Sequence, residues 1–393
     1  MTRRNFAGAT AGALMAADGK IRLAVVGGGF GTQFYWHEHP GCQVAAVTDL
    51  HSDRRRALRD TYQCDSVYES MEDMLAKRKD LDAVAIFSGA PDHVRHAVEC
   101  MRRGLHVISA VPACMTLEDA ALLKETKEKT GMRYMMAETS YYRQAAIYAR
   151  ELFEKGGFGQ IHYSEVEYYH DGNREQMIAD RKSLYYNPDG TNSWRQMLPP
   201  MLYPTHSLGF VMGVTRERIQ EVACLGWGDQ RMIAQFPANR YKNPFVNEFA
   251  LMKTDKGHMV RCNVFWQIAA DGERAQWFGE KGSLYMAKSG FHGDMWHPRY
   301  GKPAAVSVPN YWATGRLPDP AIGRLPEKMR HDSGHGGSHT FLAAEFIQAL
   351  LEKREPTVDV YEALAMTTPG IVAHQSALRG GEQMKVPRFD RGV

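Results

Sequence analysis

The stretch IRLAVVGGGFGTQF, residues 21–34, decides the fold. Its first six residues predict a buried strand. The glycines after them permit a tight turn into a predicted helix, where backbone N–H groups at the helix N-terminus can approach a pyrophosphate. Strict G-x-G-x-x-G spacing from Gly27 would put glycine at position 32, where Thr32 stands. Asp49, at the end of the next predicted strand, offsets this departure because a carboxylate there accepts hydrogen bonds from ribose hydroxyls. We predict an NAD site; the alternative is a glycine-rich turn without a ligand.

The residues after this stretch repeat the same strand-and-helix alternation. Further strands are predicted over 43–48, 82–87, 105–109 and 132–137, with amphipathic helices over 91–104 and 116–131 between them. Alternation of this kind is typical of a doubly wound parallel sheet. We therefore predict an N-terminal Rossmann domain over residues 21–140.

The pattern changes beyond residue 140. A helix near 147–155 and a strand over 161–169 precede a long aromatic loop, and turn-bounded segments at 248–254, 258–266, 275–279 and 282–287 predict antiparallel strands. Two helices, about 339–353 and 359–379, close the chain. The fold class is thus α/β, with a C-terminal α+β domain over 141–393 built on a large open, mainly antiparallel sheet.

Composition excludes several classes of protein. The 48 Lys and Arg residues against 45 Asp and Glu give a net charge of +3 in 393 residues, without the basic patch that a nucleic-acid partner requires. The six cysteines form no C-x-x-C pair, which argues against a zinc site and a disulfide framework. No apolar run reaches the eighteen or so residues of a membrane span, so we expect no membrane partner.

The N-terminus carries a separate signal. Thr2-Arg3-Arg4-Asn5-Phe6, followed by a short stretch of small and apolar residues, resembles a twin-arginine export leader over residues 1–20. Such a leader would make the protein periplasmic. The alternative is a frayed N-terminus on a cytoplasmic protein.

The segment after the predicted strand at 105–109 carries a family resemblance. His106-Val107 leads into a proline-containing turn and a capped helix, behind a glycine-loop domain. This arrangement resembles the Gfo/Idh/MocA oxidoreductases, most of which have Glu-Lys-Pro in that turn with a catalytic lysine. Here the triplet is Ala110-Val111-Pro112. The usual mechanism of the family therefore cannot be carried over to this chain.

Four further motifs resemble the NAD-dependent branch known as glycoside hydrolase family 109. They are Val-Pro-Ala at 111–113, Met-Met-Ala-Glu at 135–138, Tyr-Tyr-His-Asp at 168–171 and Leu-Tyr-Pro-Thr-His at 202–206. The resemblance implies that Glu138, Tyr168, Tyr203 and His206 line a sugar site beside the nicotinamide. For the cofactor the candidates are Gly27, Gly29, Phe30, Gly31, Asp49, Ser88, His93, Val111 and Pro112.

The residues themselves point to the same chemistry. His206 lies where a helix should begin, so its ring and the Tyr203 hydroxyl should project from one loop into the cleft. Oxidation of a secondary alcohol needs a base for the hydroxyl proton, and histidine or a polarised tyrosine can serve where lysine is lacking. Glu138 ends a predicted parallel strand, where open α/β sheets bind ligands. The alternatives are a capping or core histidine and a solvated strand-end acid.

Other polar residues are candidates for substrate binding. Asn192, Trp194 and Arg195 lie in the long loop, where indole stacking and guanidinium hydrogen bonds suit a sugar, although a loop tryptophan can also be a core anchor. We add His170, and His335 in a polar loop over the substrate. The glycines between His335 and His339 argue against a shared metal ion, so no metal is expected.

The sequence thus predicts an NAD-dependent carbohydrate oxidoreductase acting on a secondary hydroxyl, at C3, of a sugar or glycoside. One alternative is a redox-neutral glycosidase that oxidises, eliminates, adds water and reduces. Another is a sugar-binding protein without catalysis. An open sheet with one apolar face usually needs a partner, so we expect a homodimer or homotetramer through the C-terminal sheet.

Overall fold

The computed structural model describes residues 19–170, 174–187, 189–236, 239–287, 293–306 and 320–392. The predicted leader over 1–20 falls outside these ranges except for its last two residues. Six strands form the first sheet: β1 Ile21–Val26, β2 Cys42–Thr48, β3 Val67–Tyr68, β4 Ala83–Ile86, β5 His106–Ser109 and β6 Tyr134–Met136. They are all parallel, in the order β3-β2-β1-β4-β5-β6. The predicted doubly wound sheet is confirmed.

Four helices accompany this sheet: α1 Ser52–Tyr62, α2 Met71–Lys77, α3 His93–Arg102 and α4 Leu117–Thr130. Helix α4 shows why local sequence predicts such elements well. The Thr116 hydroxyl accepts a hydrogen bond from the Asp119 N–H at 3.1 Å, and Gly131 ends the helix in the left-handed conformation.

The segment between the glycine loop and β2 corrects one expectation. Two 3₁₀ turns, Gly31–Gln33 and Trp36–Glu38, replace the predicted helix, and Tyr35 between them has a φ of 54°. Phe34 and Trp36 are both fully buried. Residues two positions apart do not share a face of an α-helix, so burying both side chains requires the irregular backbone.

A second sheet of nine strands begins after residue 160. Its strands are β7 Ile161–His170, β8 Ile219–Trp227, β9 Asn247–Thr254, β10 Met259–Phe265, β11 Asp271–Gly279, β12 Gly282–Tyr285, β13 Met295–Pro298, β14 Ala304–Ala305 and β15 Met384–Lys385. The order is β14-β13-β12-β11-β7-β10-β9-β8-β15, and neighbours are antiparallel except β7 and β10. The predicted large, mainly antiparallel sheet is confirmed.

The remaining helices are α5 Gln144–Glu154, α6 Arg174–Ala179, α7 Thr205–Thr215, α8 Gln230–Gln235, α9 Pro320–Gly323, α10 Gly334–Leu351 and α11 Val360–Leu378. Helix α7 is buried from Thr205 to Val214. Helix α11 packs against β8 and also against α4 and β6, so it joins the two sheets. None of the described helices is long and apolar enough to cross a membrane.

One face of the second sheet exposes large apolar side chains. Leu225 and Phe249 pair across β8 and β9, and Leu251 on the same face is 58% exposed. Trp227 and Met259 are also exposed on this face. Exposed apolar patches on a sheet mark interaction surfaces. We propose that a second copy of the chain covers these residues.

Leu251→Glu should therefore weaken self-association, because it buries an unpaired charge in the dimer. The mass in solution, measured by sedimentation equilibrium, should fall towards that of one chain. Leu378→Glu changes a leucine of similar exposure on the last turn of α11 and should leave the mass unchanged. A wild-type protein that sediments as a monomer would contradict the proposal.

Candidate active site

The glycine loop is shaped by its contacts with two neighbouring segments. Gly27 has a φ of 99°, and a Cβ at this position would collide with the Phe87 carbonyl, so only glycine fits. The Gly28 N–H donates to Asp49 Oδ2 at 2.7 Å, and the His51 N–H donates to Oδ1 at 2.8 Å. The carboxylate of Asp49 therefore braces the loop from the end of β2.

The same loop fits a dinucleotide. Within the described part of the chain, the N–H groups of Gly29 and Phe30 donate to no other atom, which leaves them free for a pyrophosphate. Leaving out its neighbours in the chain, the group nearest to a Cβ on Gly29 would be the Arg54 guanidinium, 3.8 Å away. This side of the loop is therefore open. A carboxylate has about four acceptor sites. Asp49, with two of them used by backbone donors, still has capacity for ribose hydroxyls.

His93 ties together the two turns beside the loop. Its Nδ1 lies 2.9 Å from the Pro112 carbonyl oxygen and its Nε2 lies 3.0 Å from that of Ser88. The ring is buried, which lowers the pKa of His93 below its ordinary value. A neutral ring has one N–H and donates to one of these two carbonyl oxygens, so His93 lies against Ser88 and Pro112 with both ring nitrogens facing the protein backbone. Val111 stands at the position where most Gfo/Idh/MocA oxidoreductases have the catalytic lysine, and its side chain is buried and apolar.

Glu138 and His206 form a buried pair between the end of β6 and the start of α7. Nδ1 of His206 donates to Glu138 Oε1 at 2.9 Å, and the same oxygen accepts from the N–H of Ser140 at 2.8 Å and from its hydroxyl. Glu138 is fully buried and His206 is 5% exposed. Nε2 of His206 makes no hydrogen bond among the described residues. The free nitrogen can therefore give or take a proton from a bound molecule.

Two elements bring the pair together. Glu138 follows β6, and His206 lies in the first turn of α7 behind Pro204, as predicted from the sequence. A Cβ at Gly209 would lie 3.0 Å from Cγ of Glu138 and 2.9 Å from the Ser140 hydroxyl. Helix α7 can approach the carboxylate this closely only because position 209 has no side chain.

The pair shares a charge. Burial disfavours a charged imidazole, but the Glu138 carboxylate more than offsets it, so the pKa of His206 lies above its ordinary value of 6.5. Burial also opposes the carboxylate, yet His206 and the neighbouring hydroxyls lower the pKa of Glu138 to about 2. Below the raised pKa of His206 the pair is a carboxylate beside an imidazolium, and above it the ring keeps the proton on Nδ1 and has an unprotonated Nε2.

Aromatic side chains form one wall around His206. The ring centroids of Tyr168 and Tyr203 lie 4.8 Å and 5.4 Å from that of His206, and Trp266 packs edge-on against Tyr168. Burial raises the pKa of the Tyr168 phenol well above 10. Burial also raises the pKa of the Tyr203 phenol, although the positive charge of Arg195 partly offsets the rise. Both phenols therefore remain protonated at neutral pH and can donate hydrogen bonds.

His335 lies on the opposite side of His206. The two rings are stacked with centroids 6.1 Å apart, and the ring of Phe30 from the glycine loop is 5.7 Å from His335. Nδ1 of His335 is hydrogen-bonded to Nε2 of His339 at 2.9 Å. His335 thus lies between the glycine loop and the Glu138–His206 pair, in the irregular first turn of α10.

The other predicted substrate contacts lie farther from the pair. The Arg195 guanidinium stacks over Trp194 at 4.4 Å, and the Trp194 indole packs against the backbone of Gly89 after β4. His170 is exposed at the end of β7, with its ring 6.2 Å from Tyr168. Asn192 is exposed and bridges to Tyr186, so none of its described contacts reaches His206.

Three residues of the site were not singled out from the sequence. Gly209 and Trp266 contact the site only through tertiary packing, and no local motif marks either one. Glu273 on β11 is almost fully buried and pairs with Arg143 at 3.1 Å beside His335. The alternation of polar and apolar residues along β11 gives no sign of this role for Glu273, because its partner Arg143 is 130 positions away in the sequence.

Two family models match the chain. Residues 21–138 match the model described as an oxidoreductase family with an NAD-binding Rossmann fold. Residues 319–393 match the model of the C-terminal domain of glycosyl hydrolase 109. The two matches lie at the two ends of the chain and include Glu138 and His335.

The curated relatives carry the second of these names. A glycosyl hydrolase family 109 protein of Solibacter usitatus is 25% identical, over 97% of this chain and 91% of its own length. One from Streptomyces coelicolor is 24% identical, over 97% and 86%.

Solved structures share the fold. The WlbA dehydrogenase of Bordetella pertussis, in complex with NADH and UDP-GlcNAcA, has a TM-score of 0.72 at 18% identity, covering 95% of this chain and 100% of that one. An inositol dehydrogenase homologue of Azotobacter vinelandii, with NADH and myo-inositol, has a TM-score of 0.69 at 19% identity, covering 93% and 97%.

Asp49→Ala should weaken NADH binding on the order of 10- to 100-fold, the worth of a hydrogen bond to a charged group. NADPH should lose less, because the carboxylate also repels a 2′-phosphate. Fluorescence titration with both nucleotides measures the two affinities. Asp60→Ala removes an exposed acid of α1 and should change neither. Unchanged affinities in Asp49→Ala would remove this residue from the ribose site.

Glu138→Gln should move the pKa of His206 from above 6.5 to below it, because burial then acts without the carboxylate. Histidine NMR titration of the full chain measures this pKa. The wild-type pair stabilises the fold most between the ordinary pKa values of 4.5 and 6.5. The contribution of the pair is lost as pH rises through the raised pKa of His206, and it is also lost as pH falls towards 2, the pKa of Glu138. The difference in stability between wild type and variant should therefore shrink at both higher and lower pH.

Glu248→Gln is the matched control for this titration. Glu248 is also fully buried and hydrogen-bonded to a histidine, His374, at 2.8 Å. Removing its charge should leave the titration of His206 in place. A pKa of His206 that stays above 6.5 in Glu138→Gln would show that another group holds the proton.

Proposed function

Since the chain belongs to the NAD-dependent Gfo/Idh/MocA oxidoreductases, in their glycosyl hydrolase 109 branch, we propose that it oxidises the C3 hydroxyl of a sugar or glycoside. The observation that carries the proposal is the Glu138–His206 pair, in which Nε2 of His206 is free and the ring is stacked on His335, which contacts Phe30 of the glycine loop. A positioned imidazole of this kind performs the proton transfer that alcohol oxidation requires.

The residues of the site have separate roles in this reaction. NAD, when bound, supplies the hydride acceptor for a secondary alcohol, and Gly29, Phe30 and Asp49 would hold it. His206 takes the hydroxyl proton once it is neutral and returns it in the reverse direction. Glu138 fixes the ring with Nδ1 protonated, so that Nε2 faces the substrate.

The position of the missing lysine supports the same assignment. Val111 is buried and carries no proton, so this turn cannot supply acid–base chemistry. The groups that can exchange protons lie instead on the second half of the chain, in α7 and at the start of α10. The tyrosines Tyr168 and Tyr203, protonated at neutral pH, would donate to sugar oxygens.

One observation favours a second candidate function. The match to the glycosyl hydrolase 109 C-terminal domain, with relatives of that name along almost the whole chain, supports a redox-neutral glycosidase. In that reaction C3 is oxidised, the C2 proton is removed, the aglycone leaves by elimination, water adds and C3 is reduced. Both candidates share the first step. The assembled proton-transfer pair argues against a sugar-binding protein without catalysis.

His206→Ala should lower turnover by a factor on the order of 10² to 10⁴, the usual worth of a positioned acid–base group. His206→Asn keeps a hydrogen-bond donor but cannot take the proton, so it should be nearly as damaging. NADH binding should survive both changes. Steady-state rates on a panel of glycosides, followed by absorbance and product analysis, measure the effect.

The same assay has its control and separates the two candidates. His162→Ala changes an exposed histidine of β7 and should retain full rate. An oxidoreductase accumulates keto-sugar and NADH in equal amounts and keeps the glycosidic bond, whereas a glycosidase releases aglycone without net NADH. Full activity of His206→Ala on the substrate that is turned over would overturn the assignment.

A further inference from the structure

The ring of His339 is fixed by a backbone carbonyl. Its Nδ1 lies 3.0 Å from the carbonyl oxygen of Gln33, just after the glycine loop. A carbonyl oxygen only accepts hydrogen bonds, so Nδ1 of His339 carries the proton. Burial lowers the pKa of His339 to about 4, which keeps the ring neutral at physiological pH. Its Nε2 is therefore an unprotonated acceptor.

This tautomer determines that of His335. Since Nε2 of His339 accepts, Nδ1 of His335 must donate across the 2.9 Å between them. The pKa of His335 lies below its ordinary value. Burial lowers it most, and the charges of His206 and Arg143 act in the same direction, whereas Glu273 and Glu138 offset only part of the shift. A neutral His335 with its proton on Nδ1 has a lone pair on Nε2. That nitrogen makes no hydrogen bond in the described part of the chain.

The polar groups around His206 therefore differ in whether they donate or accept a proton. One group consists of donors: the phenols of Tyr168 and Tyr203, and the Nε2–H of His206 whenever its ring is charged. The acceptor is Nε2 of His335, in a ring stacked 6.1 Å from that of His206. Pairs of titratable groups whose surroundings push their pKa values apart are the signature of separate acid and base roles.

We infer that Nε2 of His335 is a second base, which removes the proton from the substrate carbon next to the oxidised one, and that His339 holds it in the tautomer required. This inference rests on the proposed function, because the proton becomes acidic only beside a carbonyl. The C2–H bond breaks, its proton goes to Nε2, and its electron pair is delocalised into the adjacent carbonyl. The neighbouring donors stabilise the charge on that oxygen.

The contacts of His335 fit this role better than those of the other groups. Glu138 is fully buried behind His206, and Glu273 is paired with Arg143. The left-handed backbone at His335, with a φ of 50°, continues through Gly336 and Gly337 and places the ring ahead of the regular part of α10. Strained backbone of this kind persists where the surrounding structure fixes it, often at sites of function.

The test supplies the carbonyl ready-made. The full-length protein is given a methyl 3-ketoglycoside in D₂O, and NMR follows deuterium entering at C2. Wild type should exchange this proton, and His335→Gln should lose exchange on the order of 10²- to 10⁴-fold, since glutamine cannot take a proton. His162→Gln, on the exposed side of β7, should exchange at the wild-type rate.

A second variant and a second readout test the role of His339. His339→Phe keeps the stacking on Phe34 at 4.7 Å but removes both nitrogens, so it should lower exchange less than His335→Gln does. ¹⁵N NMR of the histidine rings, recorded on the protein without substrate, should show Nε2 of His335 unprotonated at neutral pH. In His339→Phe the two tautomers of His335 should mix. The NMR measurement of the tautomers does not depend on any catalysed reaction.

The outcomes separate this inference from the proposed function. Absence of exchange in wild type, equal exchange in His335→Gln, or a proton on Nε2 of His335 would each overturn the inference. Absence of hydride transfer from every hydroxylated sugar would instead overturn the proposed oxidation, while exchange of the ketone could still be measured. NADH affinity close to wild type in the variants shows that the cleft is folded.

Discussion

The structure depends on one requirement: the carboxylate of Glu138 has no contact with water and must be satisfied by the protein. The N–H and hydroxyl of Ser140 and the ring of His206 satisfy one oxygen, Oε1, whereas Oε2 is buried without a hydrogen-bond partner among the described residues. These bonds fix the end of β6 against the start of α7 and leave no room for a side chain at Gly209. An uncompensated charge at this depth would be more costly than any single packing contact, so the cleft is organised around it.

A second buried pair supports the first from behind. Glu248 accepts from the N–H of Met201 at 2.7 Å while its other oxygen lies 2.8 Å from Nδ1 of His374. Met201 immediately precedes the turn that carries Tyr203 and His206, and the Trp266 indole holds the preceding Leu198 carbonyl at 3.0 Å. The approach to α7 is thus held at Leu198 and Met201 by Trp266, which follows β10, and by Glu248 of β9.

The sequence predicts what short-range patterns determine. The parallel strands, the capped helix α4 and the helix start at His206 all follow from alternation and capping. The helix expected after the glycine loop was wrong because burial of Phe34 and Trp36 depends on distant contacts. Strand β8 went unassigned because Glu221 and Gly226 interrupt its apolar pattern. The hydrogen bond from His339 to Gln33 joins residues about 300 positions apart, which no local motif records.

The placement of Val111 has an evolutionary consequence. The residues proposed to hold the cofactor lie on the first half of the chain, whereas His206 and His335 belong to α7 and α10 of the second half. Substitutions at Gly29 or Asp49 can thus alter nucleotide preference without touching these histidines, whereas Phe30 contacts His335 and Gln33 holds His339. A lineage built in this way can change substrate and cofactor through largely separate mutational steps, and Phe30 and Gln33 are the positions at which the two remain coupled.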